Sequence, residues 1–473
     1  MIFDQGYHDE CGVVGIAGHP EASNIAYLGL YALQHRGQES AGIVSTDGVN
    51  LFAHRSMGHV ADIFSSRATM DELKGTSAIG HVRYSTQGGS FIKNAQPVAI
   101  SCWRGAMALA HNGNLVNAME LRQELERDGS IFQTTNDSEV ILHLVARAPD
   151  AILEDALASA LRQIKGAYSI LVMTKDRLIG VRDPHGFRPL VLGDLKGAPV
   201  LVSETCALDL VGARFVREIE PGEMLVISPY GMTSMYPQPP QKPAACIFEL
   251  IYFARPDSIV FGQSVYIVRK KLGRQLAVEQ PVEADTIIPV PDSGIGAALG
   301  FSEESGIPFE MGLIRNHYIG RTFIEPRQSI RDFGVKIKLN PVPELMKGKR
   351  VVLVDDSIVR GTTSRKLVRM VRAAGAREVH FRISSPPTIG PCRYGIDTPT
   401  ADELIATHKT VSQICEYIEA DSLGYLSIPG MLSAAGLHEN DRYCLGCFNL
   451  DYPITLRPRM ELLPGLFDSG QHV

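Results

Sequence analysis

The sequence has few long apolar runs, few cysteines and no excess of charge of either sign. No run reaches the ~18 apolar residues of a membrane-spanning helix. Residues 1–10 are polar and acidic, unlike a secretory signal, so a cytoplasmic protein is expected. Lys and Arg total 46 against 52 Asp and Glu, interspersed, for a net charge of −6. That balance excludes a general nucleic-acid binder and means that an anionic substrate would need a locally basic site. Eight cysteines in 473 residues are too sparse for a disulfide scaffold and suit reactive-thiol or metal roles instead. Internal repeats and low-complexity tracts are absent. What is present is a globular composition, 45% hydrophobic and 21% charged, in a chain long enough for two or three cores.

The chain is organised around residues 351–364. An apolar run, Val351-Val352-Leu353-Val354, meets two carboxylates, Asp355-Asp356, and then Arg360-Gly361-Thr362-Thr363-Ser364. Such a run suits a strand covered on both faces, as in a parallel sheet. The turn at its carboxyl end would aim backbone N–H groups and hydroxyls at a phosphate. The aspartates can hold vicinal ribose hydroxyls or, through water, Mg2+.

Before this stretch, short alternating apolar segments at residues 11–17, 41–44, 78–82, 106–110 and 169–173 read as strands of packed sheets, with helical patterns at 25–33 and 137–146. Asp137 and Ser138 suit an N-terminal cap of the latter. This predicts a layered α+β domain. Prolines 237, 239, 240 and 243 mark residues 228–243 as the domain boundary. Beyond it, strand-like segments at 286–290, 350–354 and 379–383 alternate with helices, the pattern of an α/β parallel sheet.

Cys11 opens the strand-like string Cys11-Gly12-Val13-Val14-Gly15-Ile16 after a ten-residue leader. Free cysteine is commonly a small buried hydrophobe. Alternatively it is a nucleophile whose own α-amino group, freed by removal of residues 1–10, serves as base. The strings Gln34-His35-Arg36-Gly37, Gly80-His81-Val82-Arg83-Tyr84-Ser85-Thr86, His111-Asn112-Gly113-Asn114 and Thr135-Asn136-Asp137-Ser138 follow in order. With Cys11 they resemble the class II, N-terminal-nucleophile glutamine amidotransferases. Asn112 and the Gly113 N–H would supply oxyanion donors. Arg83 would pair with the α-carboxylate of glutamine and Asp137 with its α-ammonium. The resemblance adds Arg36 and Thr86 to glutamine binding.

The string 351–364 resembles the phosphoribosyl-pyrophosphate (PRPP) motif of type I phosphoribosyltransferases. The resemblance implies that Asp355 and Asp356 hold the ribose and Mg2+, with Ser293 in the magnesium shell, and that Arg360, Gly361, Thr362, Thr363 and Ser364 wrap the 5-phosphate. The turn Pro289-Val290-Pro291-Asp292-Ser293-Gly294 would grip pyrophosphate. Residues 313–340, rich in Arg, would form a lid bringing His317, Tyr318 and Arg321 to the transferred centre. Cys246, Cys392, Cys444 and Cys447 are compatible by themselves with zinc or an iron–sulfur cluster, and Cys102, Cys206 and Cys415 with packing.

Taken whole, the chain resembles the glutamine PRPP amidotransferases, in the branch with a propeptide and a [4Fe–4S] cluster. That implies a propeptide (1–10), a four-layer αββα glutaminase domain (11–238) and a type I phosphoribosyltransferase α/β domain with a central parallel sheet (239–473). It also implies glutamine and PRPP as substrates, one Mg2+ per subunit, inhibition by purine nucleotides and a homotetramer. Two other readings stay open: a glutaminase feeding a different synthase, and a non-catalytic nucleotide-binding regulator with a degenerate phosphoribosyltransferase fold.

Overall fold

The structure, a computed structural model, describes residues 11–84, 90–316, 339–398, 400–436 and 443–455. Its first half is built on two antiparallel sheets. Seven strands run in the order Arg214–Glu218, Val191–Leu195, Ala198–Val202, Gly12–Ile16, Ser77–Arg83, Ser40–Thr46 and Leu51–Met57. Six more run Gly231–Met235, Met224–Ser228, Leu178–Arg182, Gly166–Met173, Gly105–Leu115 and Val98–Cys102. The period-two alternation of strand side chains sorts them into separate cores. Val14 and Ile16 pack against the helices Ala22–Ala32 and Thr205–Val211, while Val13 faces the second sheet together with Ala108, Ala110 and Leu171. Met107 and Leu109, of opposite parity, pack against the helices Ala118–Arg127, Ser138–Arg147 and Leu153–Leu161. The result is four layers, αββα, with the strand that follows Cys11 buried on both faces.

The second half holds a four-stranded parallel sheet, Thr286–Pro289, Arg350–Asp355, Glu378–Ile383 and Ser422–Tyr425. The 351–354 run is buried on both faces as its composition demands. Val352 and Val354 meet the side covered by helices Val265–Glu279 and Ile295–Ser305, and Val351 and Leu353 the side covered by Thr362–Ala373 and Val411–Ile418.

One expectation changes. The strand Gly231–Met235 pairs with Met224–Ser228 as a hairpin, so the six-stranded sheet extends into the expected boundary of 228–243. Only its proline-bearing part is connection. Of the expected lid, Leu313–Arg315 and Leu339–Pro341 pair antiparallel, and residues 317–338 lie outside the described residues, as does the leader 1–10. Among the described residues no helix is long and apolar enough to cross a membrane.

Candidate functional site

Cys11 stands at the mouth of its strand, buried, with Sγ 3.6 Å from the Tyr84 carbonyl. The register Gly12↔Val82 sets it beside Arg83, the last residue of the neighbouring strand. Arg83 is also buried and lies 3.8 Å from Glu39. Across the sandwich, the strand Gly105–Leu115 carries Asn112 and Gly113. Asn112 is 1% exposed, and its Nδ2 has no hydrogen-bond partner among the described residues. A buried amide donor left without an acceptor costs free energy unless a ligand supplies one. Gly113 has φ +148°, and a Cβ there would lie 2.0 Å from the Ala167 carbonyl, so only glycine fits. His81 secures this strand from the facing sheet. Burial pushes its pKa down to about 3, so the ring is neutral and Nε2 donates to the His111 carbonyl at 3.0 Å.

Asp137 departs from its expected capping role. Its side chain makes no cap bond to the helix Ser138–Arg147, and Oδ2 accepts from the Leu115 N–H at 2.9 Å. Asn136 serves the helix start instead, its Oδ1 accepting from the Ser138 N–H at 3.1 Å. The carboxylate of Asp137 is thereby tied to the end of the Asn112 strand. Glu139 fixes the preceding turn by accepting from the N–H groups of Gln133 and Thr134. Burial alone would raise its pKa, but hydrogen bonds from His143, Gln133 and Thr134 hold it down at about 2.

Arg36, expected to bind glutamine, is placed elsewhere. Its guanidinium is enclosed: Nε donates to the Cys11 carbonyl at 3.1 Å, Nη1 reaches Glu204 at 2.5 Å, and Nη2 reaches Glu249 at 2.7 Å. Glu249 belongs to the second half of the chain, so Arg36 ties the Cys11 backbone to a buried ion network that spans both halves. Burial alone would raise Glu204, yet His35 and Arg36 beside it hold its carboxyl well below the usual range. Arg188 also reaches Glu249, at 3.4 Å. Nothing in the sequence singles out Glu204 or Glu249, because pairing with Arg36 across more than 150 residues leaves no local signature. Thr86 lies outside the described residues.

In the second half, Asp355 ends its strand and Asp356 follows, buried. Burial, and then the negative charge of Asp356, push the Asp355 carboxyl well above the ordinary range. Two carboxylates this close and this buried disfavour ionisation of both at once. The turn carrying half-buried Ser293 abuts them, since a Cβ on Gly294 would lie 2.4 Å from the Val354 carbonyl. Asp292 in this turn pairs with Arg315. Gly361, at φ +73°, releases the chain into the helix Thr362–Ala373, whose first N–H groups have no intrahelical acceptors. Thr362 Oγ1 is buried there without a partner among the described residues. Ser364 is buried, Thr363 is exposed, and Arg360 pairs with Glu403 at 2.8 Å. His317, Tyr318 and Arg321 lie outside the described residues.

Cys246 and Cys444 stand opposite each other in a short parallel pairing, and Cys447 follows one turn later. Burial and the nearness of Cys246, Cys392 and Cys444 raise Cys447 well above the ordinary thiol range. All four are free thiols. Among the described residues, no three His, Cys, Asp or Glu side chains are set ready to hold an ion.

A thiol-led αββα sandwich coupled to a parallel-sheet PRPP cradle defines a glutamine amidotransferase that acts on a phosphoribosyl substrate. Residues 81–209 match the family model of the glutamine amidotransferase domain. The chain is 52% identical, over 95% of its length and 92% of the relative's, to the amidophosphoribosyltransferase of Rhizobium etli. It is 51% identical, over 96% of each chain, to that of Bacillus subtilis. The solved B. subtilis glutamine PRPP amidotransferase complexed with ADP and GMP superposes with a TM-score of 0.89 at 51% identity, covering 94% of this chain and 97% of that one. The chain belongs to the amidophosphoribosyltransferases, and its reaction is the first committed step of de novo purine biosynthesis. Glutamine, PRPP and water give 5-phosphoribosylamine, glutamate and pyrophosphate.

Proposed function

We propose that Cys11 is the glutaminase nucleophile and that its α-amino group, freed by cleavage of residues 1–10, is the base. Arg83 and Asp137 hold the α-carboxylate and α-ammonium of glutamine, and Thr86 contributes to the same binding. The thiolate attacks the side-chain amide carbonyl. Asn112 Nδ2 and the Gly113 N–H take the developing oxyanion, ammonia leaves, and water hydrolyses the thioester to glutamate. The observation that carries this reading is the buried, unpartnered Asn112 Nδ2 on the strand facing Cys11.

Ammonia then displaces pyrophosphate from C1 of PRPP. Asp355 and Asp356 hold the ribose hydroxyls, and residues 360–364 receive the 5-phosphate at the helix N-terminus, a reading supported by the orphaned Thr362 hydroxyl. By the family resemblance, His317, Tyr318 and Arg321 serve the transferred centre. Asp355, Asp356 and Ser293 would hold Mg2+, which neutralises charge on the leaving group. Cys246, Cys392, Cys444 and Cys447 fit a [4Fe–4S] cluster in donor chemistry, four thiols from three stretches of chain meeting in one neighbourhood. The ADP and GMP complexed with the B. subtilis relative support purine nucleotides as inhibitors, and a homotetramer in the cytoplasm completes the reading.

Cys11→Ala is the test. Glutamine-dependent synthesis should vanish while synthesis from high ammonia persists, because the two half-reactions occupy separate domains. Loss of both activities together overturns the assignment.

A further inference from the structure

We propose that residues 393–395 of the second domain complete the glutaminase site, as positioning residues that fix the oxyanion donors of the first. The inference rests on reading Asn112 and Gly113 as those donors and names what holds them still.

Glycine has the widest backbone freedom of any residue, whereas an oxyanion donor stabilises a transition state only if it is oriented beforehand. Gly113, at φ +148°, therefore needs restraint from outside its own backbone. On one side it has the Ala167 carbonyl, from its own domain. On the other it has Gly395, itself at φ +108°, where a Cβ would lie 3.0 Å from both the Cα and the carbonyl carbon of Gly113. The two glycine backbones are in direct contact across the domain boundary, with no room for a side chain between them. One residue further along the strand, Asn114 Nδ2 donates to the Arg393 carbonyl at 2.9 Å.

The second-domain segment is itself rigidly held. Arg188, fully buried, donates to the Tyr394 carbonyl from Nε at 3.0 Å and Nη2 at 2.7 Å. The Tyr394 ring stacks on Phe187 with centroids 4.2 Å apart. Fixed in this way, residues 393–395 act as an anvil behind the end of the Gly105–Leu115 strand. The second domain then sets glutaminase turnover by holding the donors, while glutamine binding, which uses Arg83 and Asp137, is left alone.

The experiment uses the full chain with Asn114→Ala, Gly395→Ala and, as reference, Asn112→Ala. It measures kcat and KM for glutamine hydrolysis, phosphoribosylamine formation from PRPP and ammonia, and Tm. Misplacing catalytic groups by about 1 Å costs up to about a hundredfold, so kcat should fall about ten- to a hundredfold in Asn114→Ala and Gly395→Ala. Glutamine KM and the ammonia-dependent rate should stay near wild type in both, and Tm near wild type in Asn114→Ala, while Gly395→Ala also loses some Tm to its left-handed backbone. If Asn112→Ala loses turnover while both other variants keep wild-type kcat, the positioning role falls and the oxyanion reading stands. Wild-type turnover in Asn112→Ala overturns the oxyanion reading itself. A parallel loss of both activities in both variants assigns residues 393–395 a purely structural role and overturns the proposal.

Discussion

Asn112 carries the sharpest residue-level expectation. Removing a preorganised oxyanion donor typically costs about 10²–10³ in kcat. Asn112→Ala should therefore lose that much glutamine turnover with little change in KM, as steady-state glutamate release would show. Glu139 carries a different one, in stability. Its folded pKa, about 2, lies below the ordinary 4.5, so its carboxylate contributes stability that is fully present above about pH 4.5 and is lost as pH falls through about 2. Relative to Glu139→Gln, wild type should be more stable at neutral pH by on the order of 2 kcal/mol. The difference should shrink to less than half at about pH 3, and chemical unfolding at the two pH values checks it. Candidate residues were legible where the proposed chemistry is local, as for Cys11 and Asn112 in their motif strings. The role of Arg36 was not, since the carboxylates that claim it, Glu204 and Glu249, lie more than 160 positions away.

At the scale of elements, the strand Arg350–Asp355 and the helix Thr362–Ala373 show how a run of side chains becomes a binding edge. Four apolar residues bury both sheet faces, the aspartates emerge where the sheet ends, and Gly361 turns the chain into the helix with φ +73°. A side chain there would meet Ile405 and Tyr417 at 3.0 and 3.2 Å and would adopt a left-handed backbone costing roughly 1–2 kcal/mol. Gly361→Ala should thus raise the KM for PRPP in the ammonia-dependent assay and leave glutamine hydrolysis in the absence of PRPP unchanged. An unaltered KM would remove Gly361 from the cradle. These elements were readable because burial on two faces demands an unbroken apolar run. The cap of the helix Ser138–Arg147 misled because Asp137 suits an N-terminus equally well whether its carboxylate turns to the helix or to Leu115. Only the arriving strand decides which.

For the whole molecule, the buried network of Arg36, Glu204, Glu249 and Arg188 joins the two halves of the chain behind the nucleophile. Removing one member of a buried ion network leaves its partners charged and unpaired, at a cost of about 3–5 kcal/mol. Arg36→Met should lower stability by that order in chemical unfolding and should slow glutamine turnover more than ammonia-dependent synthesis, because the Cys11 carbonyl loses its anchor. The four clustered thiols give a spectroscopic expectation at the same scale. Anaerobically purified protein should be brown, with labile sulfide and a broad iron–sulfur absorption that bleaches on oxidation. A colourless protein with stoichiometric zinc would replace the cluster with a zinc site.

By itself the sequence determined which segments form strands and helices, that a layered α+β half precedes a parallel α/β half, and which short strings mark the family. All of these are written in the order of neighbouring residues, through period, propensity and spacing. The tertiary structure alone decided which side chains meet over long separations. It set Arg36 on Glu249, Asp137 on Leu115, Cys246 opposite Cys444, and Gly395 against Gly113. Such contacts depend on how sheets stack and domains dock, and close-packed surfaces leave no local pattern in the chain to announce them.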